Sequence, residues 1–178
     1  MTGPQRFCCG VAKTGDDARN WRTGSAIKDD VPSRNVIKRY RNDAFFHAYN
    51  RGINGDEIFV DNFDRQMFLA AFVRRLPSPD VSLVAYCLMP NHFHLVLRQR
   101  RDAGITRLMR PALTSYVRQF NGRHRRFGGL FQGVFKASDP LTKRAARSVV
   151  AYVHLNPIDL RRGVPWEEYE FSSHRVFL

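Results

Sequence analysis

The sequence predicts an α+β domain in which helices pack on an antiparallel sheet. Three observations lead there. Short apolar runs of strand length alternate with stretches of helical period. Two strand-like runs, Val81 to Leu88 and His92 to Arg98, are separated only by Met89-Pro90-Asn91, so they form a hairpin and pair antiparallel. The chain has 178 residues, enough for one domain with a core and too few for two ordinary ones.

Met1 to Arg41 is rich in Gly, Thr, Asp, Arg and Lys and has no sustained hydrophobic period, so it reads as a flexible basic leader, with the domain spanning 42–178. The run Ala44-Phe45-Phe46-His47-Ala48-Tyr49-Asn50 ends at Arg51-Gly52 and reads as a strand. Glu57-Ile58-Phe59-Val60 is a second, weaker extended piece. Asp61 or Asn62 then caps a helix in which Phe63, Met67, Ala70, Ala71 and Phe72 recur near helical spacing. Pro77-Ser78-Pro79 ends it. After the hairpin, Ile105 to Arg126 is helical, with Ile105, Leu108, Met109, Ala112, Leu113, Tyr116, Val117 and Phe120 in one apolar stripe. A proline costs about 3 kcal/mol inside a helix and little in its first turn. Pro111 therefore marks either a kink or the start of a second helix. Gly128-Gly129 closes the stretch, Leu130 to Ala137 is extended, and Leu141 to Leu155 is helical up to Asn156-Pro157. Trp166-Glu167-Glu168-Tyr169 offers no chemistry and reads as packing.

Lys and Arg number 29 against 16 Asp and Glu, a formal net charge of +13. Such an excess in a small domain calls for a polyanionic partner, and nucleic acid is the first candidate. A membrane surface is disfavoured, because no long apolar run and no basic amphipathic helix of the membrane type is present. Cys8, Cys9 and Cys87 are odd in number and poorly spaced for disulfides or zinc. With no apolar signal segment, the expected compartment is the cytoplasm.

His92-Phe93-His94 carries the sharpest chemistry. Residues i and i+2 of a strand share a face, so the two imidazoles project together and make half of a divalent metal site, or else two hydrogen-bonded histidines on a half-exposed face. Tyr116 lies on the apolar helix stripe, where a tyrosine is ordinarily core. Arg118, Arg123, Arg125 and Arg126 crowd it, and Gln119 and Asn121 add neutral oxygens. From Arg98 to Arg126 nine arginines occur with only Asp102 as an acid among them. Arginine pairs bidentately with phosphate, and Phe120, Phe127 and Phe131 stand close enough in sequence to stack on unpaired bases.

These motifs together resemble the REP-associated tyrosine transposases, within the wider HUH single-tyrosine transposases. The resemblance runs through Phe46 to Gly52, Tyr86-Cys87-Leu88-Met89-Pro90-Asn91-His92-Phe93-His94-Leu95-Val96-Leu97, Tyr116 to Asn121, Gly129 to Lys136, Tyr152-Val153-His154-Leu155-Asn156-Pro157 and Ser172-Ser173. It implies a ferredoxin-like fold, Mg²⁺ or Mn²⁺ held by His92 and His94, and Tyr116 as nucleophile. Asn121 follows from it as third ligand, with Gln119 as fallback. It further implies single-stranded DNA beside a hairpin as substrate, and a 5′-phosphotyrosine intermediate with a free 3′-OH. Arg98, Arg118, Arg123, Arg125, Arg126 and Lys136 are the candidate DNA contacts. The chain departs from the family pattern at Pro111, at Gln119 and in the leader. Monomer and homodimer are both compatible with the sequence. Two other functions remain open: a hairpin-binding protein that does not cleave, and a metal-dependent hydrolase without a covalent step.

Overall fold

The computed structural model describes residues 42–76, 80–101, 104–138, 141–160 and 165–176, so the leader at 1–41 lies outside the described residues. Strands β1 (Ala44–Arg51), β2 (Val81–Met89), β3 (His92–Gln99) and β4 (Lys136–Ala137) form one sheet in the order β2-β3-β1-β4. Every pairing is antiparallel. With α1 (Asn62–Val73) after β1 and α2 (Gly104–Arg123) after β3, this is the β-α-β-β-α-β arrangement of ferredoxin-like folds. A third helix, α3 (Lys143–Leu155), follows β4.

The sheet is covered on both faces, and this division decides everything about the site. Alternation on β3 sends Phe93, Leu95 and Leu97 to one face, where Phe46 and Ala48 of β1 join them. Helices α1 and α2 seal that face with Phe68, Phe72, Ile105, Leu108, Met109, Ala112, Tyr116 and Phe120. The opposite face carries Val96 of β3 and Ala85, Cys87 and Met89 of β2, packed against Val149, Val150 and Val153 of α3. A register shift between Leu83 and Ala85 moves Ala85 onto this second face. Strand β2 reads as a continuous apolar run because both faces of the sheet are covered there.

Helix α1 begins with a reciprocal cap: Asp61 accepts from the Asp64 amide, and Asp64 accepts from the Asp61 amide. Helix α2 is continuous from Gly104 to Arg123 with Pro111 inside it, so the alternative of two separate helices is resolved in favour of one. The extended piece expected at Glu57–Val60 is not a strand. Its Ile58 and Phe59 amides both donate to the Pro90 carbonyl, at 2.8 and 3.0 Å, so its partner is the hairpin turn. Of the extended segment expected from Leu130 to Ala137, only Lys136–Ala137 joins the sheet. Gly133 adopts φ +75°, which a residue with a Cβ rarely does, and turns the preceding chain out of the ladder. The Trp166–Tyr169 segment packs as expected, with the Tyr169 hydroxyl donating to the Leu88 carbonyl at 2.6 Å.

Candidate active site on the second sheet face

Residues directly opposite one another in an antiparallel pair share a face. The register therefore aligns Lys136, Tyr49, His94 and Cys87 as one row across β4, β1, β3 and β2. Arg51, His92 and Met89 form the next row. His47, two residues before Tyr49, adds a third imidazole to the same face. Helix α3 lies over these rows and brings down Tyr152. Its ring centroid stands 5.6 Å from that of His94 and 6.1 Å from that of His47. Tyr49 stacks on His47 from the other side at 5.1 Å.

The expectation that His92 and His94 project together holds, with ring centroids 4.9 Å apart. Each imidazole is oriented through Nδ1. His92 Nδ1 lies 2.7 Å from the Asn91 side-chain oxygen, which only accepts, so it carries the proton and the lone pair is on Nε2. His94 Nδ1 lies 2.8 Å from His47 Nε2. When His94 donates this proton to His47, its own lone pair also falls on Nε2. Burial, with His47 and His92 adding to it, holds the His94 pKa well below the ordinary imidazole value. His94 is therefore of the neutral nitrogen kind that suits a divalent ion, and both imidazoles have the outer hydrogen bond that orients a metal-binding histidine. Among the described residues no group of three or more His, Cys, Asp or Glu side chains is gathered for a metal. Asn156 carries a neutral amide oxygen one turn beyond Tyr152. Its Oδ1 lies 3.5 Å from the Tyr152 hydroxyl, and its Nδ2 donates to the Tyr152 carbonyl at 2.9 Å.

Tyr116 is not in this site, and its assignment as nucleophile is corrected. It is fully buried on the other face of the sheet, among the rings of Phe59, Phe68, Phe120 and Phe131. Its hydroxyl donates to the Ile58 carbonyl. Burial raises its pKa, with the Asp64 charge adding to the rise, so the phenolate a nucleophile needs is disfavoured there. Tyr116→Phe leaves that carbonyl without its buried donor and is expected to lower unfolding stability by about 1–3 kcal/mol, read from urea denaturation. Unchanged stability would show the bond to be dispensable.

Asn121 and Gln119 fall with it as metal ligands. Both lie on α2, in the layer that covers the first face. The Asn121 amide donates to the Gly128 carbonyl at 2.9 Å, closing the loop after the helix. Gln119 is exposed and bonds back to Ser115. The expected DNA-contacting residues separate into groups. Lys136 and Arg98 lie on the histidine face, although Arg98 is paired with Asp43 at 2.6 Å. Arg123 is held by Asp61 and by the fully buried Asp64, which also takes His124, so it ties α2 to the start of α1 rather than standing open to phosphate. Arg118 lies on the outer surface of α2, and Arg125 and Arg126 in the loop that follows.

His47, Tyr152, Asn156 and Arg51 were given no role by the sequence reading. Their signals are present in it. Period-two alternation puts His47, Tyr49 and Arg51 on one side of β1, and Tyr152 and Asn156 are four apart on a helix. Burial holds the His47 imidazole down at about 4, from 6.5. A depressed folded-state value means that the contribution to stability is complete above pH 6.5 and is lost as pH falls from there through about 4. The loss is at most about 1.4 kcal/mol per pH unit. Denaturation in EDTA should therefore show stability falling between pH 6.5 and 4, with a shallower fall in His47→Gln. A flat profile in the parent would contradict it.

No protein-family model and no curated protein matches the sequence. Solved structures do. A REP-associated tyrosine transposase bound to a REP hairpin superposes with a TM-score of 0.59 at 16% identity, covering 77% of this chain and 80% of that one. A putative transposase from Deinococcus radiodurans gives a TM-score of 0.44 at 13% identity, over 67% of this chain and 92% of that one. The chain thus has the fold of a REP-associated tyrosine transposase, as its motifs led us to expect. The described residues contain no helix long and apolar enough to cross a membrane.

Proposed function

We propose that the chain is a divalent-metal-dependent tyrosine nuclease and strand transferase acting on single-stranded DNA beside a hairpin, with Tyr152 as its nucleophile. The observation that carries this reading is the seating of the Tyr152 ring against His94 and His47, on the face that also presents His92. The fold shared with a hairpin-bound transposase and the net charge of +13 support it.

In this reading Mg²⁺ or Mn²⁺, held by His92 and His94 with Asn156 as a neutral oxygen donor, would withdraw charge from the scissile phosphate. The chain's own groups do the rest. Tyr152 Oη attacks phosphorus and the P–O3′ bond breaks, leaving a 5′-phosphotyrosine and a 3′ oxygen that takes up a proton. The phenolic proton is lost in the same step. Asn156 Oδ1 holds the hydroxyl in place before attack. Lys136 and Arg51 supply positive charge beside the rows that carry the histidines. Tyr49 and the Tyr152 ring offer aromatic faces to unpaired bases. Because the aryl phosphate ester keeps the energy of the broken bond, a 3′-OH can reverse the step and join a new strand without ATP. Incubation with labelled hairpin-flanked single strands and Mn²⁺, followed by a denaturing gel, tests this reading. A shifted protein–DNA band lost with EDTA supports it. Tight binding without any adduct would instead favour the hairpin-binding protein that does not cleave.

A further inference from the structure

The arginines of this chain are not equivalent, and their partners sort them. Arg98 pairs with Asp43, Arg101 and Arg107 share Asp80, and Arg123 is held by Asp61 and Asp64. On the outer side of the α1/α2 layer, Arg74 and Arg75 from the end of α1 and Arg110 and Arg118 from α2 line one open groove. Among the described residues none of these four has a carboxylate within ion-pair distance. Arg110, Thr114 and Arg118 recur every four residues and are all exposed, so they form one ridge. Arg110 and Arg118 are about 12 Å apart along the helix axis, roughly three phosphate steps of one DNA strand.

We infer that this groove binds the sugar-phosphate backbone of a DNA duplex, separately from the histidine face. The cations select a polyanion, and Thr114 and Ser115 add the hydroxyl donors that phosphate oxygens accept. Among the described residues the groove is lined by neither an aromatic residue nor a carboxylate. Unpaired strands are held mainly by stacking on aromatics, whereas a duplex offers its backbone and keeps its bases inside. The histidine face has the opposite character, with Tyr49 and Tyr152 exposed or half-exposed beside the imidazoles. The two faces thus divide a hairpin substrate, its paired stem on α1 and α2 and its unpaired flank at Tyr152. The division of labour rests on the function proposed above, but the duplex site itself does not need cleavage.

Fluorescence anisotropy in EDTA tests it with three labelled probes: a blunt duplex, the same stem as a tailed hairpin, and an unpaired strand of equal length. The full chain is compared with Arg110→Ala/Arg118→Ala, whose replaced side chains are exposed, and with the separate single variants. We expect the double variant to bind duplex and hairpin about tenfold more weakly at 0.1 M salt. The slope of log K against log salt should fall by about 2, one for each arginine removed. Each single variant should show about half the change in slope, and affinity for the unpaired strand should hold. Unchanged duplex affinity, no duplex binding by the parent, or an equal loss on all three probes would overturn the assignment. Because no metal is present, these outcomes are independent of whether Tyr152 forms an adduct, which is scored separately with Mn²⁺ on the unpaired strand.

Discussion

Tyr152→Phe is expected to abolish covalent attachment to DNA, with a fall in adduct formation on the order of 10⁴-fold or more, as for loss of an enzyme's nucleophile. The variant removes one oxygen and leaves the ring against His94 and His47, so fold and DNA affinity should hold. Tyr116→Phe gives the contrast. It loses a core hydrogen bond and some stability, yet it should still form the adduct, because the Tyr116 hydroxyl sits on the opposite face of the sheet and faces Ile58. A gel comparing the two variants separates the assignments, and loss of adduct in Tyr116→Phe at a temperature where it remains folded would reverse them.

The second large effect is expected at His94. Its Nδ1 is held by His47 and the residue is 7% exposed, so its position is fixed by the sheet. His94→Ala should remove both Mn²⁺ binding and adduct formation. His47→Gln should weaken Mn²⁺ binding by roughly 10- to 100-fold, the usual effect of losing an outer partner that orients a metal ligand. Calorimetric titration with Mn²⁺ reads both without relying on catalysis. Equal Mn²⁺ affinity in His94→Ala and the parent would show that the imidazole pair is structural.

The layered α+β fold, the hairpin and the shared face of His92 and His94 were legible because each is a local consequence of period. Alternation fixes which strand residues point together, and Pro90-Asn91 fixes where the strand reverses. The partner of the histidines was not legible in the same way. Tyr116 and Tyr152 both lie on helices, and choosing between them requires knowing which face of the sheet each helix covers. That is a property of chain connection, not of spacing. Tyr116 also lies in the middle of an apolar stripe, which the structure shows to be what such a stripe usually is, a core. The arginine excess was legible as a charge, but the acids that neutralise Arg98, Arg107 and Arg123 are up to 62 residues away in sequence. Only the fold shows which cations remain unpaired among the described residues.

Mapping the modified tyrosine tests the central claim most directly. The chain is incubated with Mn²⁺ and hairpin-flanked DNA, digested with nuclease and trypsin, and examined by mass spectrometry for a nucleotide-linked peptide. The account predicts the modification on the peptide Ser148 to Arg161, at Tyr152. Modification on the peptide that carries Tyr116, or an unmodified Tyr152 in a preparation that cleaves DNA, would contradict it.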